Sequence, residues 1–315
     1  MFFRKNRRDF LKVLAGGAAG LSSIYTGASR AWAQSGGGGL TASKLTDNIS
    51  LINGAGSNIL LVNGPEGVLL VDGGSSEYSA NLVQFVTGQP GAGRIQALFN
   101  THWHLEHTGS NEMIGKSGAR IIAHENTKLW MGAEIICAWQ KDRVYKPRPK
   151  EARPTESFYT TGTMMFGKEE IRYGHLGQAH TDGDMYVFFP NSNILVTGDV
   201  FSVGSYPILD WTTGGWIGGL TDATRTLVGL VDDTTRVIPG SGPVRGKAEL
   251  QAQLDMVGAM RTRLIDLMRK GMPLREWIAA QPTKEFDERW GDPQLFLTNA
   301  YPGLWNHVRE IGGIV

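Results

Sequence analysis

The sequence predicts an α+β protein whose sheets carry helices on their outer faces. Two observations lead there: short apolar runs bounded by Gly or Asn dominate the early chain, and helical stretches follow them and fill its last third. Composition sets the outer bounds. The chain has 315 residues, of which 41% are hydrophobic and 19% charged, enough to bury one large core and unlike a disordered, collagen-like or coiled-coil chain. A single cysteine excludes an internal disulfide framework and any zinc site built from several thiolates. Residues 1–33 hold six bases and one acid, leaving 25 of the 31 bases and 29 of the 30 acids for the rest, a net of −4. Such a body is a poor partner for nucleic-acid phosphates.

The elements follow in chain order. Arg7-Arg8-Asp9-Phe10-Leu11-Lys12 precedes an uncharged stretch, 13–29, with four glycines, too weakly apolar to hold a span of about 20 helical residues in a bilayer. A basic start, a modest apolar centre and Ala31-Trp32-Ala33 describe an export signal cut before Gln34. The paired arginines read as a twin-arginine signal, so the translocation machinery of that route is an expected partner. The mature protein would then lie in the periplasm or outside, without a stable membrane anchor. Residues 34–43, with Gly36 to Gly39, read as a flexible linker, and 44–315 as one domain ending in helices between 247 and 312.

Strands are expected at 49–52, 58–62 and 68–71, a helix at 78–87, a strand at 94–100, a short strand at 121–123 and a helix at 126–141. In that last stretch Leu129, Ala133, Ile136 and Cys137 fall at helical spacing, which makes Cys137 a core residue and not a nucleophile. The proline-rich segment 146–157 reads as a surface loop. Strands resume at 170–173, 185–189 and 194–200. Segment 204–219 reads as a mobile loop beside a site, the chain turns helical from 221, and 236–239 is a last strand.

The chemistry sits in Thr101-His102-Trp103-His104-Leu105-Glu106-His107, where three of the seven histidines fall within six residues after a strand. Residues two apart in an extended segment share a face, so His102 and His104 converge on one point. Glu106 and His107 follow where the chain turns. Imidazoles with a carboxylate suit zinc or iron at a site that keeps a coordination position open. Downstream lie Ala179-His180-Thr181 and Gly198-Asp199, each unremarkable alone. His124 and His175 read as structural, His307 as inert, and Arg261, Arg263, Arg269, Lys270 and Arg275 as a solvated helical face.

Taken in order, Val71-Asp72-Gly73-Gly74, the histidine stretch, Ala179-His180-Thr181, Gly198-Asp199 and Ile238-Pro239-Gly240-Ser241-Gly242 resemble the metallo-β-lactamase-fold hydrolase superfamily. The resemblance implies an αββα four-layer sandwich, here with a C-terminal helical extension. It implies His102, His104 and His180 as ligands of a first metal, with Asp199 beside or bridging it, and Asp72 bracing the histidine loop. It also exposes two departures: Glu106 stands where the family usually has Asp, and Ser241 where it usually has a second-metal His. A serine hydroxyl is a weak ligand, so one tight zinc is expected and a second is weak or absent, with His107 as its ligand or as a proton donor. Trp103, Tyr206, Trp211 and Trp216 are candidate walls of a small-molecule cleft. The function implied is hydrolysis of an ester, lactone, thioester or amide, with Asp199, Glu106 and His107 as catalytic groups. The alternatives are a mononuclear iron oxidoreductase of the same fold, resembling the persulfide dioxygenases, or a binding protein with a decayed second site.

Overall fold

The computed structural model describes residues 34–35, 39–89, 91–309 and 312, so the export signal read in residues 1–33 lies outside the described residues. The first half runs β1 (Gln34–Ser35), β2 (Thr41–Lys44), β3 (Ile49–Asn53), β4 (Ile59–Gly64), β5 (Gly67–Val71), α1 (Ser79–Thr87), β6 (Ile95–Phe99), α2 (Leu105–Thr108), α3 (Asn111–Lys116), β7 (Arg120–His124), α4 (Glu125–Gly132), β8 (Ile135–Cys137), β9 (Arg143–Tyr145) and β10 (Glu156–Phe158). The second half runs β11 (Thr161–Phe166), β12 (Glu169–His175), β13 (Met185–Phe189), β14 (Ile194–Gly198), α5 (Ile217–Leu230), β15 (Arg236–Pro239), α6 (Lys247–Arg269), α7 (Leu274–Ala279), α8 (Asp287–Trp290) and α9 (Gln294–Asn306).

One sheet has eight strands in the order β1-β2-β3-β4-β5-β6-β7-β10, and the other five in the order β11-β12-β13-β14-β15. Short turns join β2 to β5 as antiparallel neighbours, whereas helical crossovers make β5, β6 and β7 parallel. Strand β5 is buried along its whole length, which is why Gly67-Val-Leu-Leu-Val71 reads as a continuous apolar run. Between the sheets Leu60, Val71 and Phe99 meet Val187, Phe189 and Val196. The outer face of the first sheet packs Leu61 and Leu98 on Leu82 and Val86 of α1, and that of the second packs Leu195 and Val237 on Leu220 and Val257 of α5 and α6. The result is the four-layer αββα sandwich, with the C-terminal helices in its last layer.

Several expectations are corrected. The stretch 126–141 is not one helix. It ends at Gly132, and Ala133 turns extended (ψ 162°), starting the two-stranded β8–β9 hairpin. Ile135 and Cys137 point inward and Ile136 outward, a two-residue period that the helical reading overlooked. Cys137 is buried nonetheless, and burial pushes its thiol up to about 12, so it is no nucleophile. Strands β1 and β2 pair within the stretch read as a linker. Helix α5 begins four residues before the expected 221, and among the described residues four helices, not two or three, follow β15. Arg261 and Arg263 are not simply solvated: they bridge α6 to Asp222 and Glu285.

Candidate metal centre

Strand ends from both sheets meet at one edge of the sandwich. The segment after β6 carries His102 and His104 and then coils into α2 with Glu106 and His107. The β12–β13 turn carries His180, and Asp199 follows β14. Gly198 adopts φ +54°, and a Cβ there would lie 2.6 Å from Thr101 Oγ1, so glycine is what lets the two sheets' loops approach so closely. One ligand atom from each of His102, His104, His180 and Asp199 lies within 4.8 Å of every other.

Two carboxylates fix the loops. Asp72, itself in the left-handed region at φ 65°, accepts Thr101 N and Thr101 Oγ1 at 2.9 Å and faces His107 Nδ1 at 2.8 Å. Asp184 accepts the backbone N–H groups of His180 and Thr181 at 2.6 and 2.8 Å, which sets the turn that presents His180. Burial pushes the Asp184 carboxyl up to about 6.

The outer nitrogens of the three imidazoles are engaged by the protein. His180 Nδ1 donates to the Ile208 carbonyl at 2.7 Å, and His104 Nε2 donates to Asp210 Oδ2 at 3.0 Å. His102 Nδ1 lies 3.1 Å from Thr101 Oγ1, whose hydroxyl donates to Asp72. Donation outward leaves lone pairs facing inward. His104 Nδ1 and His180 Nε2 sit 3.0 Å apart, and His102 Nε2 is buried with no partner among the described residues. Asp199 Oδ2 lies 3.8 Å from both His102 Nε2 and His180 Nε2. Enclosed imidazole nitrogens converging beside a carboxylate form a setting that a bound cation would satisfy. The donor set, imidazoles plus a carboxylate and no thiolate, fits zinc or iron.

The electrostatics agree. Burial, with the neighbouring His107, His180 and His104, holds the His102 pKa well below 6.5, leaving it neutral as a ligand must be. For His104 burial is outweighed by Asp210, Glu106 and Asp199, which raise its pKa; the same field draws a cation to this point. His107 differs. Burial opposes its charge, yet Asp72 at 2.8 Å and Asp199 at 3.3 Å hold its pKa well above 6.5. It is clamped between carboxylates, and against the opposing effect of burial it holds the Asp199 carboxyl well below its usual range.

The remaining expected residues spread outward. Glu106 is half exposed, with Oε1 4.0 Å from His104 Nδ1. Ser241 is exposed and lines a recess of about 100 Å³ with Asp199 and Tyr206. Its neighbour Gly240 is hemmed in: a Cβ there would fall 1.9 Å from Asp199 Oδ1. Tyr206 reaches the recess by its edge while its hydroxyl donates to Asp287 Oδ1 at 2.8 Å and its ring stacks on Phe296. Trp103 is buried edge-on to His104, ring centroids 4.4 Å apart, and donates to Thr213 Oγ1. Trp211 lies beside α9, where its Cβ would be 3.6 Å from a Cβ on Gly303. The Trp216 indole stacks on His307 at 4.5 Å within the helical layer, not on the histidine cluster. His307 also touches Gln178, and His124 and His175 stack on each other at 3.6 Å; all three are away from the ligands.

Sequence reasoning missed Asp210, Asp184 and Trp139. Asp210 is 106 residues from the histidine that it orients, and no spacing announces it. Trp139 Nε1 donates to Asp210 Oδ1 at 2.8 Å, and its ring sits 6.2 Å from that of His104. Asp184 was visible in principle, two residues beyond the Asp182 of the same polar turn.

The metallo-beta-lactamase superfamily model matches residues 52–262. Over 242 residues the chain is 28% identical to the protein named 2,4-dinitroanisole O-demethylase subunit alpha of Nocardioides sp. (strain JS1661), covering 74% of this chain and 66% of that protein. It is 22% identical over 202 residues to a Metallo-beta-lactamase type 2 of Bacillus cereus, covering 64% of this chain and 73% of that protein. Among solved structures, a metallo-beta-lactamase from Pontibacter korlensis superposes with a TM-score of 0.56 at 19% identity, over 70% of this chain and 99% of that one. A variant of the sec-alkyl sulfatase PisA1 superposes with a TM-score of 0.66 at 16% identity, over 86% of this chain and 54% of that one. These structural likenesses concern the fold.

Proposed function

The chain belongs to the metallo-beta-lactamase superfamily, and on that premise we propose that it is a zinc-dependent hydrolase acting on an ester, lactone, thioester or amide. The observation that carries this reading is the convergence of three outward-bonded imidazoles and Asp199, with His102 Nε2 buried and unpartnered. His102, His104 and His180 would hold the ion. Bound there, zinc would lower the pKa of a water to about 7 and would polarise a carbonyl.

The chain's own residues supply the rest. Asp199 is ionised and only about a quarter exposed (26%), so its carboxylate hydrogen-bonds the attacking water and accepts a proton from it. Water oxygen bonds to the carbonyl carbon, the bond to the leaving group breaks, and the proton passes to that group. His107 is enclosed, with Nε2 3.3 Å from Asp199 Oδ1, so it serves the proton transfer through Asp199 and does not touch the leaving group. Glu106, half exposed at the rim, is the group placed to take the final proton to solvent. Three imidazoles favour zinc over an iron site of two imidazoles and one carboxylate.

The named activities of the relatives differ, one an O-demethylase and another a beta-lactamase, so the substrate is proposed only to class. We propose also that residues 1–33 direct export by the twin-arginine route to the periplasm or beyond, supported by the Arg7-Arg8 run and Ala31-Trp32-Ala33. The test is a panel of chromogenic esters, thioesters, lactones and lactams: turnover by the purified protein that disappears with a chelator and returns with zinc supports the reading. Turnover only of a thiol persulfide, with oxygen consumed, would replace it with the iron reading.

A further inference from the structure

Beside the histidine loop, with Trp103 as one wall, lies a cleft of about 230 Å³ between α4, the β8–β9 hairpin and the proline segment after it. Its volume is below the roughly 300 Å³ at which drug-sized ligands begin, so it suits a body of one or two rings. The walls are Trp103, Trp130, Tyr145 and Ile135, with the Tyr145 ring edge-on to that of Trp103 at 5.1 Å.

The charge on its rim is uneven. Lys146 is neutralised by Glu134 at 2.5 Å. Arg143 lies over the Tyr145 ring at 4.7 Å with no carboxylate partner among the described residues, and Arg148 Nε is buried with no acceptor there. A buried donor on a charged group without an acceptor is costly to leave unmade. Arg143, unpaired over an aromatic wall, and Arg148, whose Nε lacks an acceptor, match one kind of ligand, an apolar body carrying one anionic head.

We propose that this cleft binds an aryl or alkyl acid, and that it holds that part of the substrate while the scissile bond lies at the histidine cluster. The second half rests on the hydrolase reading; the first does not. The route between the two places is short, because Leu105 lines the cleft and is followed directly by Glu106 at the rim of the cluster.

Calorimetric titration of the full chain with 1-naphthoate and with neutral 1-naphthamide tests the first half. The expected result is saturable naphthoate binding at one site, with naphthamide about tenfold weaker. Arg143→Met, on the exposed hairpin, and Arg148→Met are each expected to bring naphthoate down towards naphthamide. Equal affinity for the two probes, no binding of either, or naphthoate binding untouched by both substitutions would overturn the proposal; the last would mean that the acid sits on the metal. Aryl esters with and without a remote carboxylate test the second half. Both arginine variants should raise KM about tenfold for the anionic ester alone and leave kcat in place. Naphthoate binding without any hydrolysis would keep the cleft and remove the hydrolase reading. Hydrolysis with KM unchanged in the variants would do the reverse.

Discussion

The two halves of the candidate centre are built from similar residue types and arranged in opposite ways. Around His102, His104 and His180, the outer nitrogens are tied to Thr101, Asp210 and Ile208, and the inner ones face one another and Asp199. Around His107, both nitrogens face carboxylates, Asp72 at 2.8 Å and Asp199 at 3.3 Å, while Glu106 and Ser241 are turned to solvent. A donor atom already satisfied by the protein is a poor ligand, whatever its element. If a metal binds here, the hydrogen bond on the far nitrogen, more than the presence of a histidine, would set which half holds it tightly.

Substitutions at the centre sharpen that contrast, and a pH measurement away from it falls between them in size. His180→Ala removes one of the inward lone pairs and is expected to abolish both metal content and activity, read by elemental analysis and the ester panel. Asp210→Asn keeps the shape but removes the charge behind His104; zinc affinity should fall by about 10–100-fold by competition with a chromogenic chelator. A third prediction concerns pH, away from the centre. Burial, with the stacked His175, lowers the His124 pKa from 6.5 to about 4, and burial lowers that of His175 as well. The native state therefore binds fewer protons than the unfolded one, so this contribution is full above pH 6.5 and is lost as pH falls towards about 4. His175→Phe should lose less Tm than the parent across that window. The smallest effect is expected from Ser241→Ala, with metal content and activity unchanged, because its hydroxyl bonds nothing among the described residues. Ser241→His is the sharper version: it should add a second zinc only if His107 releases Asp199.

Much of this was legible in the sequence, for physical reasons. Alternation after a strand placed His102 and His104 on one side, and the order of the short motifs indicated the sandwich and the convergence of His180 and Asp199 with them. What was hidden needed long-range contact. Asp210 serves His104 across 106 residues, and the roles of Trp139 and Arg148 come from how the β8–β9 hairpin folds back. That hairpin was itself misread, since Leu129, Ala133 and Ile136 imitate a helical stripe although Leu129 and Ile136 point outward. Ser241 was recognisable as a departure by type, but only the geometry reveals that Gly240 beside it is pressed against Asp199.

In the function proposed above, the half built by His102, His104 and His180 holds metal tightly and the half around His107 does not. Elemental analysis of the purified full chain, dialysed against metal-free buffer, tests it most directly. About one zinc per chain, lost in His180→Ala and kept in Ser241→Ala, is the predicted result. Two zincs that survive dialysis would contradict it, and would mean that His107 gives up its carboxylates to a second ion.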